Sequence, residues 1–295
     1  MTTSPLAHGA IMREAFTHAR RIALPTFPAL LLFAVAMGMH AYFLTLASEG
    51  ANLFLLWFGT GLVTVFVGCF WSADMYRHLL PDAGRGSIFP DAARLFLANL
   101  AVYALYFILL FLLTLFFSLF AGVLIGTAGY DPSTVGDSAE SVQQSIEALA
   151  DSGGATVLYI LLFIASLGLL WLGMRLFLFG VATVAEGRLA IFRTWSWTRG
   201  YVLRIGLLWL VLQALPWLVL SALTIAIQHL AGMETLLTWF GPVPSGPEPS
   251  MLKVCIVDGF CALLMAPWIW IGHGLAVALY LRLSANAVDA ETTFG

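Results

Sequence analysis

Five ionisable residues stand inside long apolar runs of this chain: His40, Asp74, Arg175, Asp258 and His273. Charge is expensive in an apolar surrounding, so such groups are the first candidates for chemistry. Asp74, Arg175 and His273 fall at similar depth in their runs and form a candidate polar layer. An Asp74–Arg175 ion pair would lower the penalty on both groups. It would be either a structural clasp or the core of a polar pathway. Two histidines on separate runs are too few for a recognisable metal site. Asp258, with Lys253 five residues before it, is close enough to the end of its run to reach water.

The motifs of familiar catalysis are missing. There is no G-x-x-x-x-G-K-[ST], G-x-S-x-G, H-E-x-x-H or paired C-x-x-C. Cys69, Cys255 and Cys261 all lie in apolar runs and read as small packing residues. No metal or cofactor is expected, and the reading leans away from an enzyme. The net charge of −3 gives no general attraction to nucleic acid.

The elements that carry these residues follow from composition. Of 295 residues, 61% are apolar and 10% charged, and mean hydropathy is +0.93. A water-soluble chain is about 25% charged, and no single aqueous core could hide this much apolar surface. Six apolar segments, at 22–47, 53–76, 96–126, 156–184, 201–227 and 252–283, each exceed the ~20 residues that cross a bilayer. The expected fold is all-α, a polytopic membrane protein of six transmembrane helices. One membrane domain covers 1–295: an amphipathic segment at 1–21, the six-span bundle at 22–283 and a tail at 284–295.

The basic residues are one-sided. Arg13, Arg20 and Arg21 precede the first span. Arg77, Arg85 and Arg94 lie between the second and third, and Arg188, Arg193, Arg199 and Arg204 between the fourth and fifth. Arg282 ends the sixth, and only Lys253 belongs to the other side. This pattern is expected to place both termini in the cytoplasm. The opposite side carries an acidic 127–155 loop, where Val142, Ile146 and Leu149 predict a short amphipathic helix. The 228–252 loop is proline-rich from Pro242 to Pro249.

The segments on the basic side resemble one another. Gly84-Arg85-Gly86-Ser87-Ile88-Phe89 matches Gly187-Arg188-Leu189-Ala190-Ile191-Phe192 at its Gly, Arg, Ile and Phe positions. Ile11-Met12-Arg13-Glu14-Ala15 echoes Ile88-Phe89-Pro90-Asp91-Ala92. Three pseudo-repeats are expected, each an interfacial helix followed by a transmembrane hairpin. At about 100° per residue, Ile11, Met12, Ala15, Phe16, Ala19, Ile22 and Ala23 share one half of a helical wheel. Arg13, Glu14, Thr17, His18, Arg20 and Arg21 share the other. Such a helix lies at headgroup level, apolar face down. Arg13, Arg20, Arg21, Arg85, Arg188, Arg193 and Arg199 are therefore candidate contacts for anionic lipid. The bilayer is the expected partner, with a membrane protein as a possible second. Gly122 and Gly126 make a GxxxG, and Gly272 and Gly274 flank His273; both pairs suit close helix packing.

The stretch Arg175-Leu176-Phe177, Ala185-Glu186-Gly187, Thr194-Trp195-Ser196-Trp197-Thr198-Arg199-Gly200 and Arg204-Ile205 resembles a group of poorly characterised bacterial six-helix membrane proteins. The group includes the membrane domain fused to some glycerophosphodiester phosphodiesterases. The resemblance rests on Arg175 in span four, Glu186 at its end and the 194–200 segment, where Trp195 precedes Ser196 in the reverse of the usual order. It covers about a third of the chain and implies an architecture. The phosphodiesterase catalytic domain has no room between 22 and 283. The functional expectation is a non-enzymatic inner-membrane protein working through lipid or protein contacts, in assembly or envelope maintenance. The alternative is a transporter of a small molecule or lipid through the polar layer.

Overall fold

The computed structural model describes residues 7–47, 53–80, 86–129, 138–233 and 250–294, and every regular element among them is helical. Arg85, Asp131, Asp137 and the proline-rich 242–249 stretch lie outside the described residues. Six helical segments are long and apolar enough to cross a membrane: Phe27–Ala47, Phe54–Leu79, Phe89–Thr127, Gly154–Glu186, Val202–Leu230 and Met251–Ala285. The chain is a multi-pass membrane protein.

It forms two compact units: Met1–Asn99 with Arg175–Gly295, and Leu100–Met174. In the first, helix α1 (His8–Ala23) is separated from α2 (Phe27–Ala47) by a turn at Leu24–Thr26. Pro25 and Pro28 explain the break, since neither can donate to the preceding turn. Helix α3 (Phe54–Leu79) follows, and α4 (Phe89–Thr127) begins in this unit. Pro90 sits in the first turn of α4, where a missing N–H is harmless.

The second unit holds the rest of α4, α5 (Ala139–Asp151) and most of α6 (Gly154–Leu176). The expected acidic-loop helix is α5. It starts with a reciprocal cap: Ser138 Oγ accepts from the Ser141 N–H, and Ser141 Oγ from the Ser138 N–H, both at 3.1 Å. Within this unit the Tyr106 hydroxyl donates to the Leu169 carbonyl at 3.3 Å, tying α4 to α6. Among the described residues Gly122 has nothing within 4 Å of the place a Cβ would take, so this half of the GxxxG makes no close contact with them.

The chain returns to the first unit through α7 (Phe179–Glu186), the single turn α8 (Thr194–Trp197), α9 (Val202–Trp209), a π segment Leu210–Ala214, α10 (Leu215–Leu230) and α11 (Met251–Phe294). Helix α11 is the hub. It packs against α1, α2, α3, α7, α8 and α10. Leu275–Leu279 is buried on every side, as an all-round apolar helix should be. Backbones approach closely where side chains are smallest. Gly38 of α2 leaves no space for a Cβ against the Cys255 carbonyl, and Gly259 of α11 faces the Ala34 carbonyl. Gly274 fits against the Ala15 carbonyl and Gly272 against the Gln213 amide, the close packing that the sequence suggested.

The three basic-side segments do not take one form. The first is a separate helix, but its buried residues Ile11, Ala15, Ala19 and Ile22 face α11 rather than lipid. The second has no independent interfacial helix: α4 runs unbroken for 39 residues, roughly 58 Å at 1.5 Å per residue. No glycine or further proline interrupts it before Gly122. The third is a loop followed by the four-residue α8. Gly187 and Gly200 sit at φ of 63° and 81°, left-handed values that end helices and that other residues resist.

Candidate functional site

Arg175 is buried at the last turn of α6, just before the helix breaks at Phe177–Leu178. The break frees backbone carbonyls, and the 194–200 segment supplies donors. Thr194 Oγ1 donates to the Arg175 carbonyl at 3.0 Å, and Thr198 Oγ1 lies 3.4 Å from the same oxygen. Arg175 Nη1 donates to Thr198 Oγ1 at 3.4 Å, and its guanidinium stands 4.5 Å from the Trp195 ring centre. A second contact closes the loop: Thr183 Oγ1 accepts from the Ala190 N–H at 3.3 Å. The segment that carried the resemblance is thus a clasp over a broken span. Trp197 extends it to α11 by an edge contact with Tyr280 at 5.5 Å.

Asp74 and Arg175 form no ion pair. The Asp74 carboxylate meets Nδ1 of His78 at 3.4 Å, and that nitrogen also donates to the Asp74 carbonyl at 2.9 Å. His273 is held by its own helix. A carbonyl can only accept, so Nδ1–H of His273 donates to Ile269 O at 2.9 Å, and the ring lies 4.9 Å from Tyr76. The polar layer is therefore three separately held groups. His40 is likewise engaged, with Nδ1 3.3 Å from the Thr60 hydroxyl and the ring stacked on Trp57. Asp258 is buried, and its Oδ1 accepts from Gln228 Nε2 at 2.8 Å.

Asp74 lines a cleft of about 460 Å³ with Pro28, Ala29, Phe70, Arg77, His78, Gly86 and Ile88. Neither Arg175 nor His273 lines it. Arg77 Nη2 donates to the Gly86 carbonyl at 2.7 Å, and its Nε lies 3.9 Å from Asp91 Oδ2. Asp91 also accepts from Arg94 at 2.8 Å.

Two polar centres had no clear signal in the sequence. The Thr26 hydroxyl, fully buried, donates to the Ile22 carbonyl at 2.8 Å. It also faces Trp71 Nε1 at 3.4 Å and Trp270 Nε1 at 3.3 Å, so one oxygen joins the α1–α2 turn to α3 and α11. The flanking Pro25 and Pro28 were the available hint. The second centre lies near the middle of spans five and six. Pro216 cannot donate to the Leu212 carbonyl, and Gln213 Nε2 donates to that oxygen instead at 2.9 Å. Gln213 Nε2 also reaches the Trp268 carbonyl at 3.4 Å, and Trp268 Nε1 donates to the Gln213 carbonyl at 3.0 Å. The π segment thus faces Trp268, the residue after Pro267, which lies inside the continuous α11. Span five is irregular here and span six carries a proline at the matching level, a pairing that apolar runs alone do not reveal.

The remaining arginine candidates sit on the surface. Arg13, Arg20, Arg21, Arg188, Arg193 and Arg199 are all exposed. Glu186 binds two of them, Arg188 Nε and Arg193 Nε each at 2.9 Å. Between these arginines Leu189 and Phe192 are 53% and 64% exposed. On α1, Glu14 makes a two-point pair with Arg282 of α11, Nε to Oε2 at 3.2 Å and Nη2 to Oε1. His18 lies beside this contact, against Gly274. Burial lowers its pKa from the ordinary 6.5, with Glu14 opposing and Arg21 reinforcing. No protein-family model, curated protein or solved structure matches the chain.

Proposed function

We propose that this is a non-enzymatic protein of the bacterial inner membrane, whose arginine-rich cytoplasmic face binds anionic lipid and through it serves membrane assembly or envelope maintenance. The loop Gly187–Arg193 carries this reading. Leu189 and Phe192 project outward between two exposed arginines, while Glu186 braces both guanidiniums. Apolar side chains can enter the acyl boundary while guanidiniums remain among phosphates. The cluster keeps a net positive charge after Glu186 is counted. A membrane-protein partner docking on the same face is compatible with this role. Kinship with the six-helix membrane domain of glycerophosphodiester phosphodiesterases remains part of the proposal, resting on Arg175, Glu186 and the 194–200 clasp.

The test is lipid retention. Purified protein in mild detergent, given equal phosphatidylglycerol and phosphatidylcholine, should retain the anionic lipid on native mass spectrometry. Arg188→Gln with Arg193→Gln should reduce that preference about thirtyfold, since each of the two cations near an anionic surface contributes about 1 kcal/mol. An unchanged preference would remove the basis for the proposal.

A second reading, transport, is favoured by one observation: the π segment of span five facing Trp268, beside Pro267 of span six. Such irregular segments are frequent where helices move or bind. Proteoliposomes that take up a solute only while Gln213 is intact would support it.

A further inference from the structure

We propose that the cleft lined by Asp74, Arg77 and His78 binds a zwitterionic aminophospholipid, its primary ammonium at Asp74 and its phosphate at Arg77. The site is distinct from the 187–193 loop and does not depend on the anionic-lipid reading.

The three polar residues stand at i, i+3 and i+4 on α3, so they share one face within a turn. Side chains at these spacings start about 5–6 Å apart. That places a carboxylate and a guanidinium at a separation suited to a headgroup whose own charges are a two-carbon linker apart. The charge balance selects the class. Arg77 is offset by Asp74 and by Asp91 at 3.9 Å, so the cleft has no surplus positive charge with which to favour a net anion. A ligand with one charge of each sign matches it.

The hydrogen-bonding capacity agrees. Arg77 offers five N–H donors, and its bond to Gly86 uses Nη2. Nδ1–H of His78 is committed to the Asp74 carbonyl, so the neutral ring offers a ligand only the accepting Nε2, which suits an ammonium N–H and not a phosphate. Among the described residues the Asp74 carboxylate has His78 at 3.4 Å, and it can accept several more hydrogen bonds. A primary ammonium brings three donors. A choline headgroup brings the same charge and no N–H.

The walls commit the occupant to a lipid rather than a free headgroup. Pro28, Ala29, Phe70 and Ile88 are apolar, and Phe70 and Ala29 belong to membrane-spanning helices. The volume of about 460 Å³ is in the range of small-ligand sites, though too small for a whole phospholipid. It would take a headgroup and the start of its glycerol backbone, leaving the acyl chains against the apolar wall and bilayer.

Phe70→benzoylphenylalanine in the full chain gives a local probe. In nanodiscs of equal phosphatidylethanolamine and phosphatidylcholine, photocrosslinking at this position should favour the former about tenfold, the worth of a charge-assisted hydrogen bond. Asp74→Asn should erase the preference while leaving total crosslinking intact. Arg188→Gln with Arg193→Gln should leave it unchanged, which separates this site from the anionic-lipid loop. Equal crosslinking to both lipids in the otherwise unaltered chain would overturn the proposal, as would a preference that survives Asp74→Asn. If that variant does not fold, the lipid comparison in the unaltered chain decides alone. Soluble phosphoethanolamine should compete poorly; competition as effective as that of the lipid would overturn the lipid as occupant.

Discussion

One hydroxyl oxygen at Thr26 serves three helices, which makes it the most economical place to test how this bundle is held. Valine has nearly the same shape and no polar atom. Thr26→Val would leave Trp71 Nε1 and Trp270 Nε1 facing a methyl group inside a fully buried site. Both contacts are long, so the expected loss is about 1–3 kcal/mol, the range for buried donors left unsatisfied. Thr26→Ser should keep most of the stability. Unfolding in mixed micelles of increasing dodecyl sulfate content would read the difference, and equal stability of both variants would contradict the assignment. At this scale the sequence was partly legible. It marked Asp74, Arg175 and His273 as unusual because charge in an apolar run is visible without coordinates. It could not pair them: their actual partners, His78, Thr198 with Trp195, and the Ile269 carbonyl, are ordinary residues. Thr26 was hidden for a similar reason, since a lone threonine in an apolar run is marked only by the prolines at 25 and 28.

At the scale of elements, α1 sharpens the question of what an amphipathic helix gains by docking. Ile11 and Ile22 are fully buried, but lipid would also have removed them from water, so apolar burial scarcely decides between the two positions. What remains is the close backbone approach at Gly274 and the Glu14–Arg282 pair. Exposed pairs of this kind contribute about 0–1 kcal/mol, so the balance is fine enough for His18 to matter. Its pKa is lower in the docked chain than its ordinary 6.5. The docked form thus prefers the neutral ring, and the released form takes up a proton first as pH falls. The resulting stabilisation is full above 6.5 and declines below it. Amide hydrogen exchange across Ala15–Ala19 should therefore quicken, relative to its intrinsic rate, on moving from pH 7.5 to 5.5. His18→Gln should flatten that dependence. Gly274→Leu, which drives a side chain into the Ala15 carbonyl, should give the undocked rate at both values. Periodicity revealed the helix and its two faces; it could not distinguish a protein surface from a lipid one, because both accept the same residues.

At the scale of the whole molecule, length and hydropathy gave the six spans to within a few residues at most ends, as expected when the bilayer sets the element length. They did not show the break after Leu176 or the π segment at Leu210–Ala214, because a run of uniformly apolar residues hides where its hydrogen bonding changes. Sidedness remains a proposal from the arginines, and it has a direct test. In intact cells, Leu189→Cys should resist a membrane-impermeant maleimide and react only after permeabilisation, whereas Ser152→Cys should react at once. Both positions are exposed. Any native thiol background is read from the unaltered chain, whose cysteines are buried or partly buried. The reverse labelling pattern would invert the topology and move both proposed lipid sites to the other leaflet.

The seat of α1 on α11 also imposes an order on biogenesis. A ribosome makes His8–Ala23 more than two hundred residues before the surface that receives it, which belongs to α11. Until that helix is inserted, the first one has only the membrane surface on which to wait. Its docking would therefore report that α11 has been inserted, and a product truncated before α11 would display an uncovered amphipathic helix to any protease or chaperone that inspects nascent membrane proteins.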